Sequence, residues 1–429
     1  MKLTVLIAGN AVLLSGLLWW LRAEYQRATP GLRRWLLPAL GWRLLLTAVS
    51  GYYPSPDAHL VARGARLLVA NFWAQPTAVL ALWQGNQFQA HGESMTLYSW
   101  SNTLYFIKLL AALSLVTGDN LWLNNLYLSW LCFIACWALV RVLSQTLPHA
   151  STAAAGVAFL AWPTVVWWTA GLTKETVLVG ASAGLFALVL PALYSGRPLG
   201  LRAYAGHLML ALLLAWIMVR MRYFFGLPLV GGLLAFAAVR LATRRGWLGP
   251  GSAAQALGLL LVLALAGGVA LALGGTHLTV DFLSSAVDVN YQHGLRTSLG
   301  RPHLEYAHWQ PTPAGLLRYA PLAAAQTLVR PWPGESTQPL YVGAGLENVL
   351  VMALVGLALV AAGRGRVGRL PAALVVMLLV YCLLLAAFIG LSTPNLGTLS
   401  RYRAALLPWL LLLLLQNDYA RRLLKRLGL

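Results

Sequence analysis

The stretch 371–391, PAALVVMLLVYCLLLAAFIGL, contains no Asp, Glu, Lys, Arg or His. A bilayer core about 30 Å thick is crossed by a helix of roughly 20 such residues. Runs of the same kind recur throughout the chain, so this reading extends to the whole molecule. Of the 429 residues, 59% are apolar and 10% charged, and the mean hydropathy is +0.70. That composition excludes a water-soluble globule, which needs a polar exterior, and indicates an all-α polytopic membrane protein.

Apolar runs near 3–21, 35–53, 121–141, 152–170, 174–194, 204–221, 224–241, 254–274, 346–363, 371–391 and 403–416 predict about eleven transmembrane helices. The first run lacks the small-residue cleavage site of a removable signal and is read as retained. A formal charge of +20 would suit nucleic acid, but the arginines sit in short clusters at the ends of apolar runs. That pattern marks one membrane side rather than a binding face. Arg22, Arg27, Arg33 and Arg34; Arg197 and Arg202; Arg240, Arg244 and Arg245; Arg364, Arg366 and Arg369; and Arg421, Arg422, Lys425 and Arg426 fall together under this threading. The rule that positive loops stay inside makes that side cytoplasmic. The expected localisation is a multi-pass cell (inner) membrane, with the amino terminus outside and the carboxyl terminus cytoplasmic.

Three regions follow: 1–274 with helices 1–8 and a first outer loop at about 51–120, an extracytoplasmic loop domain at 275–345, and 346–429 with helices 9–11 and a basic tail. Both long outer stretches are expected to carry amphipathic helices. In the first, Pro54-Ser55-Pro56-Asp57 stiffens the entry to a helix, with Asp57 a good N-cap. His59, Arg63 and Arg66 then recur on one face, opposite Leu60, Leu67 and Leu68, in an interfacial pattern. Leu104 to Val116 is apolar but short and holds Lys108, so it reads as interfacial or re-entrant. The second stretch, rich in Asp, Arg, His and Pro, reads as a compact loop domain with little core of its own.

Acidic residues are scarce, 11 in all. The threading puts Asp57, Glu93, Asp119, Glu175, Asp281, Asp288, Glu305, Glu335 and Glu347 outside, and only Glu24 and Asp418 inside. Topology rules do not require that bias, since carboxylates contribute little to orientation, although long outer loops also have more room for polar groups. Asp57 stands just past an apparent span, at head-group level. A carboxylate there can take a proton from a hydroxyl that attacks a lipid-linked sugar, beside cations that stabilise the departing phosphate. The alternative is that Asp57 only caps the next helix.

Cations at the same depth are Lys174, in Trp167-Trp168-Thr169-Ala170-Gly171-Leu172-Thr173-Lys174-Glu175, then Arg220 and Arg222, and Arg401 and Arg403. Thr173 is a plausible N-cap, and a helix amino terminus with an ammonium suits phosphate. Snorkelling to lipid phosphates is the plainer use of these residues. Arg330, Trp332 and Glu335, in a proline-rich turn before Glu347, with His59 and Glu175, are candidates for acceptor or sugar contacts, because aromatics beside charges suit a sugar ring. Arg43, inside an apolar run, either faces the bundle interior or marks a misplaced boundary.

His303, Glu305 and His308 are spaced loosely like metal ligands but lack the helical His-Glu-x-x-His order, so no metal site is assigned and a divalent ion stays an open alternative. Cys132, Cys136 and Cys382 lie in apolar runs and imply no disulfide framework. No glycine-rich nucleotide loop is present, which disfavours an ATP-driven pump.

Asp57 with its following amphipathic helices, the Trp167–Glu175 turn and the late turn Pro394–Arg403 together resemble the GT-C type of integral-membrane glycosyltransferase. The resemblance implies many spans, an acid in the first outer loop, and donors in which a sugar is linked to polyprenyl phosphate. It assigns Asp57 as the base and Lys174, Arg220, Arg222, Arg401 and Arg403 to the lipid phosphate, with a glycan, lipid or protein acceptor. In two respects the chain departs from that pattern: an extra helix precedes the acidic loop, and His59 rather than a second carboxylate lies near Asp57. Other readings are a surface-polysaccharide polymerase, which would not depend on an early-loop acid, and a lipid-linked oligosaccharide transporter, which should show repeats and mid-membrane charges.

Overall fold

A computed structural model of the chain describes residues 2–147, 149–194, 200–273 and 279–429. They fold almost entirely into helices: α1 (Lys2–Arg27), α2 (Pro30–Tyr52), α3 (Pro56–Ala74) and, after a 3-10 turn, α4 (Val79–Gln84). A hairpin of β1 (Gln87–Ala90) and β2 (Glu93–Thr96) follows, antiparallel with Phe88 opposite Met95. Next come α5 (Asn102–Thr117), α6 (Leu121–Thr146), α7 (Thr152–Gly156) running into a π-helical turn at Val157–Ala161, α8 (Pro163–Thr169), α9 (Lys174–Tyr194), α10 (Leu201–Met221), α11 (Tyr223–Arg244) and α12 (Ser252–Leu273). The chain continues with α13 (Val280–Arg296), α14 (Pro313–Val329), α15 (Pro339–Gly363), α16 (Ala372–Ser392), α17 (Leu396–Arg403), α18 (Leu407–Leu414) and α19 (Asp418–Arg426).

Among the described residues, eight helices are long and apolar enough to cross a membrane: α1, α6, α9, α10, α11, α12, α15 and α16. The protein is therefore a multi-pass membrane protein by length and composition. The other three expected spans differ for separate reasons. Helix α2 has the length, 23 residues, but Pro38, Arg43 and its polar end make it less apolar. The run 152–170 is two helices, broken at Trp162–Pro163, because proline lacks the amide hydrogen that a continuing helix needs. The run 403–416 holds only the eight residues of α18, with α17 ending at Arg403. Arg197 lies outside the described residues.

The chain divides into two compact units that do not follow sequence order. The first is Met1–Arg141, Val166–Phe186 and Leu208–Tyr223; the second is Val142–Val165, Ala187–His207 and Phe224–Leu429. Residues 279–345 are thus part of the second unit.

In the first unit α3 packs on α5 and on the hairpin, and α5 packs on α1. Helix α3 begins with Ser55, whose Oγ accepts from the amide of Ala58 at 3.2 Å, so the cap is Ser55 and not Asp57. Its buried face is Ala58, Val61, Ala65, Leu67, Leu68 and Phe72, while Leu60 is exposed beside His59 and Arg63. Helix α5 is 16 residues long, too short to span, and half of its residues are buried. Gly171 lies where Ser50 at the end of α2 leaves no room for a Cβ, which brings the turn before α9 against the turn that leads to Asp57.

In the second unit the closest helix pair is α14 with α16. Gly390 permits it: a Cβ there would strike the Ala323 carbonyl, so only a residue without a side chain lets the two backbones approach this closely. Thr327 Oγ1 donates across the same contact to the Ala386 carbonyl at 2.8 Å. Tyr291, Tyr306, Trp309 and Tyr319 form an aromatic cluster with Val287, Ala323 and Leu391. The segment from α13 to α14 therefore has a small core, completed by Leu391 of α16.

Candidate functional site

Arg43 is 1% exposed and faces the interior of the first unit. Its Nε donates to Ser129 Oγ at 3.0 Å and its Nη2 to the Thr169 carbonyl at 2.5 Å, with Thr47 Oγ1 completing the set through Ser129 at 2.8 Å. A guanidinium at this depth is retained only when its donors are satisfied. These bonds tie α2 and α6 to the tail of α8, immediately before the turn that carries the candidate cations.

The Thr173 hydroxyl caps α9 as expected, accepting from the amide of Thr176 at 3.2 Å. Lys174 then projects from the first turn, and its ammonium donates to Asn102 Oδ1 at 2.7 Å and Thr103 Oγ1 at 2.9 Å, at the start of α5. These two bonds tie the head of α9 to the start of α5. The next residue behaves differently. Glu175 accepts from Arg222 Nη2 at 2.9 Å, and both side chains are shut off from solvent. Arg222 sits in the break between α10 and α11, so this ion pair joins three apolar helix ends.

Arg220, two residues earlier, lies over the rings of Trp100 and Tyr105, with centroid distances of 4.9 and 5.7 Å. Burial pushes the Tyr105 hydroxyl up to about 12 against the opposing pull of Arg220. Burial and then Arg220 lower Lys108. Asp57 is exposed in the first turn of α3, where the helix dipole favours a carboxylate, and His59 is exposed one residue beyond Ala58. In the first unit the structure therefore assembles Lys174, Glu175, Arg220 and Arg222 at adjoining helix ends, with Ser50 and Gly171 linking that turn to the segment before Asp57.

The remaining candidates belong to the second unit. Arg330 donates from Nε to Glu335 Oε1 at 2.8 Å and from Nη1 to the His303 carbonyl at 3.0 Å. Trp332, between them in sequence, is exposed. Arg403 is 1% exposed, and its Nη1 makes long bonds to the carbonyls of Thr327 and Arg330, at 3.4 and 3.3 Å. Its Nε and Nη2 are buried with no hydrogen-bond partner, an unusual state for a guanidinium. Arg401 lies against the Tyr402 ring at 5.4 Å.

Glu347 takes a part that the sequence did not assign. Its carboxylate accepts from the Thr164 amide at 2.9 Å, from Thr164 Oγ1 in a short contact and from Trp162 Nε1 at 3.2 Å. It thereby clamps the break between the π turn and α8, and Asn348 Nδ2 donates to the Pro331 carbonyl at 2.7 Å. The available signal was a lone carboxylate inside a long apolar run, which calls for a specific partner. His303 and Glu305 stand 3.8 Å apart, and no group of three His, Cys, Asp or Glu among the described residues is placed to hold one ion.

Comparison of the chain with protein-family models, with curated proteins and with solved structures finds no match.

Proposed function

We propose that the protein is an integral-membrane glycosyltransferase that transfers a sugar from a polyprenyl-phosphate-linked donor to a glycan, lipid or protein acceptor at the extracytoplasmic face. The observation that carries this reading is the Lys174 ammonium, placed at the head of α9 with Asn102 Oδ1 and Thr103 Oγ1 among its partners, and Arg220 on the aromatic pair at the end of α10. An anionic lipid phosphate fits such a place, because a helix amino terminus and a fixed cation both favour it. The buried Glu175–Arg222 pair supports the arrangement from behind, so in this mechanism those two residues position Lys174 and Arg220 rather than touch the donor.

The reaction then has a simple balance. The acceptor hydroxyl attacks the anomeric carbon, the new glycosidic bond forms, and the bond from that carbon to the phosphate oxygen breaks with its electrons leaving on the polyprenyl phosphate. Asp57 takes the hydroxyl proton, and Lys174 and Arg220 stabilise the charge gathering on the leaving phosphate. In the second unit the unpartnered donors of Arg403 and the exposed Trp332 are taken to serve anion and sugar contacts of their own.

The test uses purified full-length protein and a polyprenyl-phosphate sugar. Binding retained by both wild type and Asp57→Asn, with transfer lost only in the variant, supports Asp57 as the base. Unchanged transfer in Asp57→Asn removes that residue from the mechanism. Failure of the wild type to bind the donor discards the proposal in favour of transport or a structural role.

A further inference from the structure

A second charged feature of the second unit has no place in this chemistry. Helix α19 has Ala420 and Leu424 buried against α7 and α15. Its opposite face carries Arg421, Arg422, Lys425 and Arg426, four cations on nine residues with Asp418 as the sole acid. The loop after α15 adds Arg364, Arg366 and Arg369, all exposed.

The two segments are locked together. Arg364 Nη1 donates to the Tyr419 hydroxyl at 3.1 Å, the Arg366 guanidinium lies 5.5 Å from the Tyr419 ring centre, and the Asp418 amide donates to the Arg366 carbonyl at 3.2 Å. Gly368 fits tightly enough against Gln416 that a Cβ would strike its carbonyl.

Cations at the end of a span are ordinarily explained by insertion alone. That explanation does not cover the leucines. Leu423 and Leu427 are 47% and 64% exposed, and Val367 in the loop is 59% exposed. At 100° per residue Leu423 and Leu427 share one side of α19 with the buried Ala420 and Leu424, so the protein covers only half of the apolar stripe. A helix with an open apolar edge beside a predominantly basic face lies in the plane of a bilayer surface, apolar edge down and cations at the phosphates.

We propose that α19 and the 364–369 loop form a binding surface for anionic phospholipid head groups. The occupant is an anionic lipid rather than an acidic protein, because the open leucine edge has to meet acyl chains at the same place where the cations meet phosphate. Clusters of this size next to a span recognise anionic lipids, each cation contributing about fivefold in affinity.

The experiment reconstitutes the full chain in bilayers of phosphatidylcholine with or without phosphatidylglycerol. Lipids that stay bound through detergent exchange are then counted by native mass spectrometry. Wild type is expected to retain phosphatidylglycerol over phosphatidylcholine, with a preference that falls as salt is raised. Replacing Arg421, Arg422, Lys425 and Arg426 by Gln lowers that preference at least about tenfold, whereas Arg421→Lys, Arg422→Lys and Arg426→Lys together preserve it and show that the helix tolerates substitution. Equal retention by the Gln variant, no preference in the wild type, or displacement of the bound lipid by a soluble acidic polypeptide overturns the proposal.

Discussion

Arg222 Nη2 lies 2.9 Å from Glu175 Oε1, and the two side chains are 2% and 1% exposed. An ion pair this deep is costly to half-remove, since the surviving charge stays buried without its counter-ion. Glu175→Gln or Arg222→Met is therefore expected to destabilise the first unit by about 3–5 kcal/mol. The double variant recovers most of that loss. Thermal unfolding in detergent micelles, run as a double-mutant cycle, reads the coupling directly.

Glu347 is expected to matter through the backbone it holds. Glu347→Ala strands the Thr164 amide, the Thr164 hydroxyl and the Trp162 indole, each at a cost of about 1–3 kcal/mol when buried. Glu347→Gln keeps an acceptor oxygen and loses less. Comparison of the two variants by thermal unfolding distinguishes a hydrogen-bonding role from a requirement for charge.

Asp119 follows the left-handed Gly118 and is itself left-handed, at φ 63. Its Oδ1 is buried without a partner. Burial raises its carboxyl above the ordinary value of 3.8, outweighing the pull of Arg66 and Lys2. A carboxyl raised on folding favours the native state when protonated, so its benefit is present below 3.8 and is lost as pH rises through the folded value. Asp119→Asn, which stays neutral and tolerates the left-handed region, is expected to be more stable than wild type at neutral pH. The difference should vanish in acid, as unfolding midpoints measured against pH will show.

Lys174→Met removes the ammonium while keeping the length of the stem. If Lys174 meets the donor phosphate, the affinity for a polyprenyl-phosphate sugar drops about tenfold or more, the worth of a charged hydrogen bond. The variant also loses the bonds to Asn102 and Thr103, so the unfolding temperature falls as well, and donor affinity is compared at a temperature where both proteins are fully folded. Donor titration of the two proteins, beside their thermal unfolding, checks both halves of the expectation.

Much of the architecture was legible in the order of residues. The apolar runs located the eight candidate spans, and the Thr173 cap of α9 was marked by its hydroxyl just before Lys174-Glu175. The position of Arg43 inside an apolar run left open whether it faced the interior or marked a misplaced boundary, and its burial decides for the interior. Two runs are less continuous than their composition suggests: Pro163 breaks the segment 152–170, and 403–416 holds only the eight residues of α18. Ser55 rather than Asp57 caps α3, since both residue types favour that position and only backbone geometry chooses between them.

Membrane class was determined by the sequence itself because the requirement is local: a helix in lipid satisfies its own backbone, so each run can be judged alone. The partners of the buried charges were decided by tertiary structure. Glu175 meets Arg222 47 positions away, Arg43 reaches the Thr169 carbonyl 126 positions away, and Glu347 reaches Thr164 across 183. Periodicity along one helix carries no information about such pairs. Their formation depends on which helix ends come together, and burial then compels each charge to find what lies within reach.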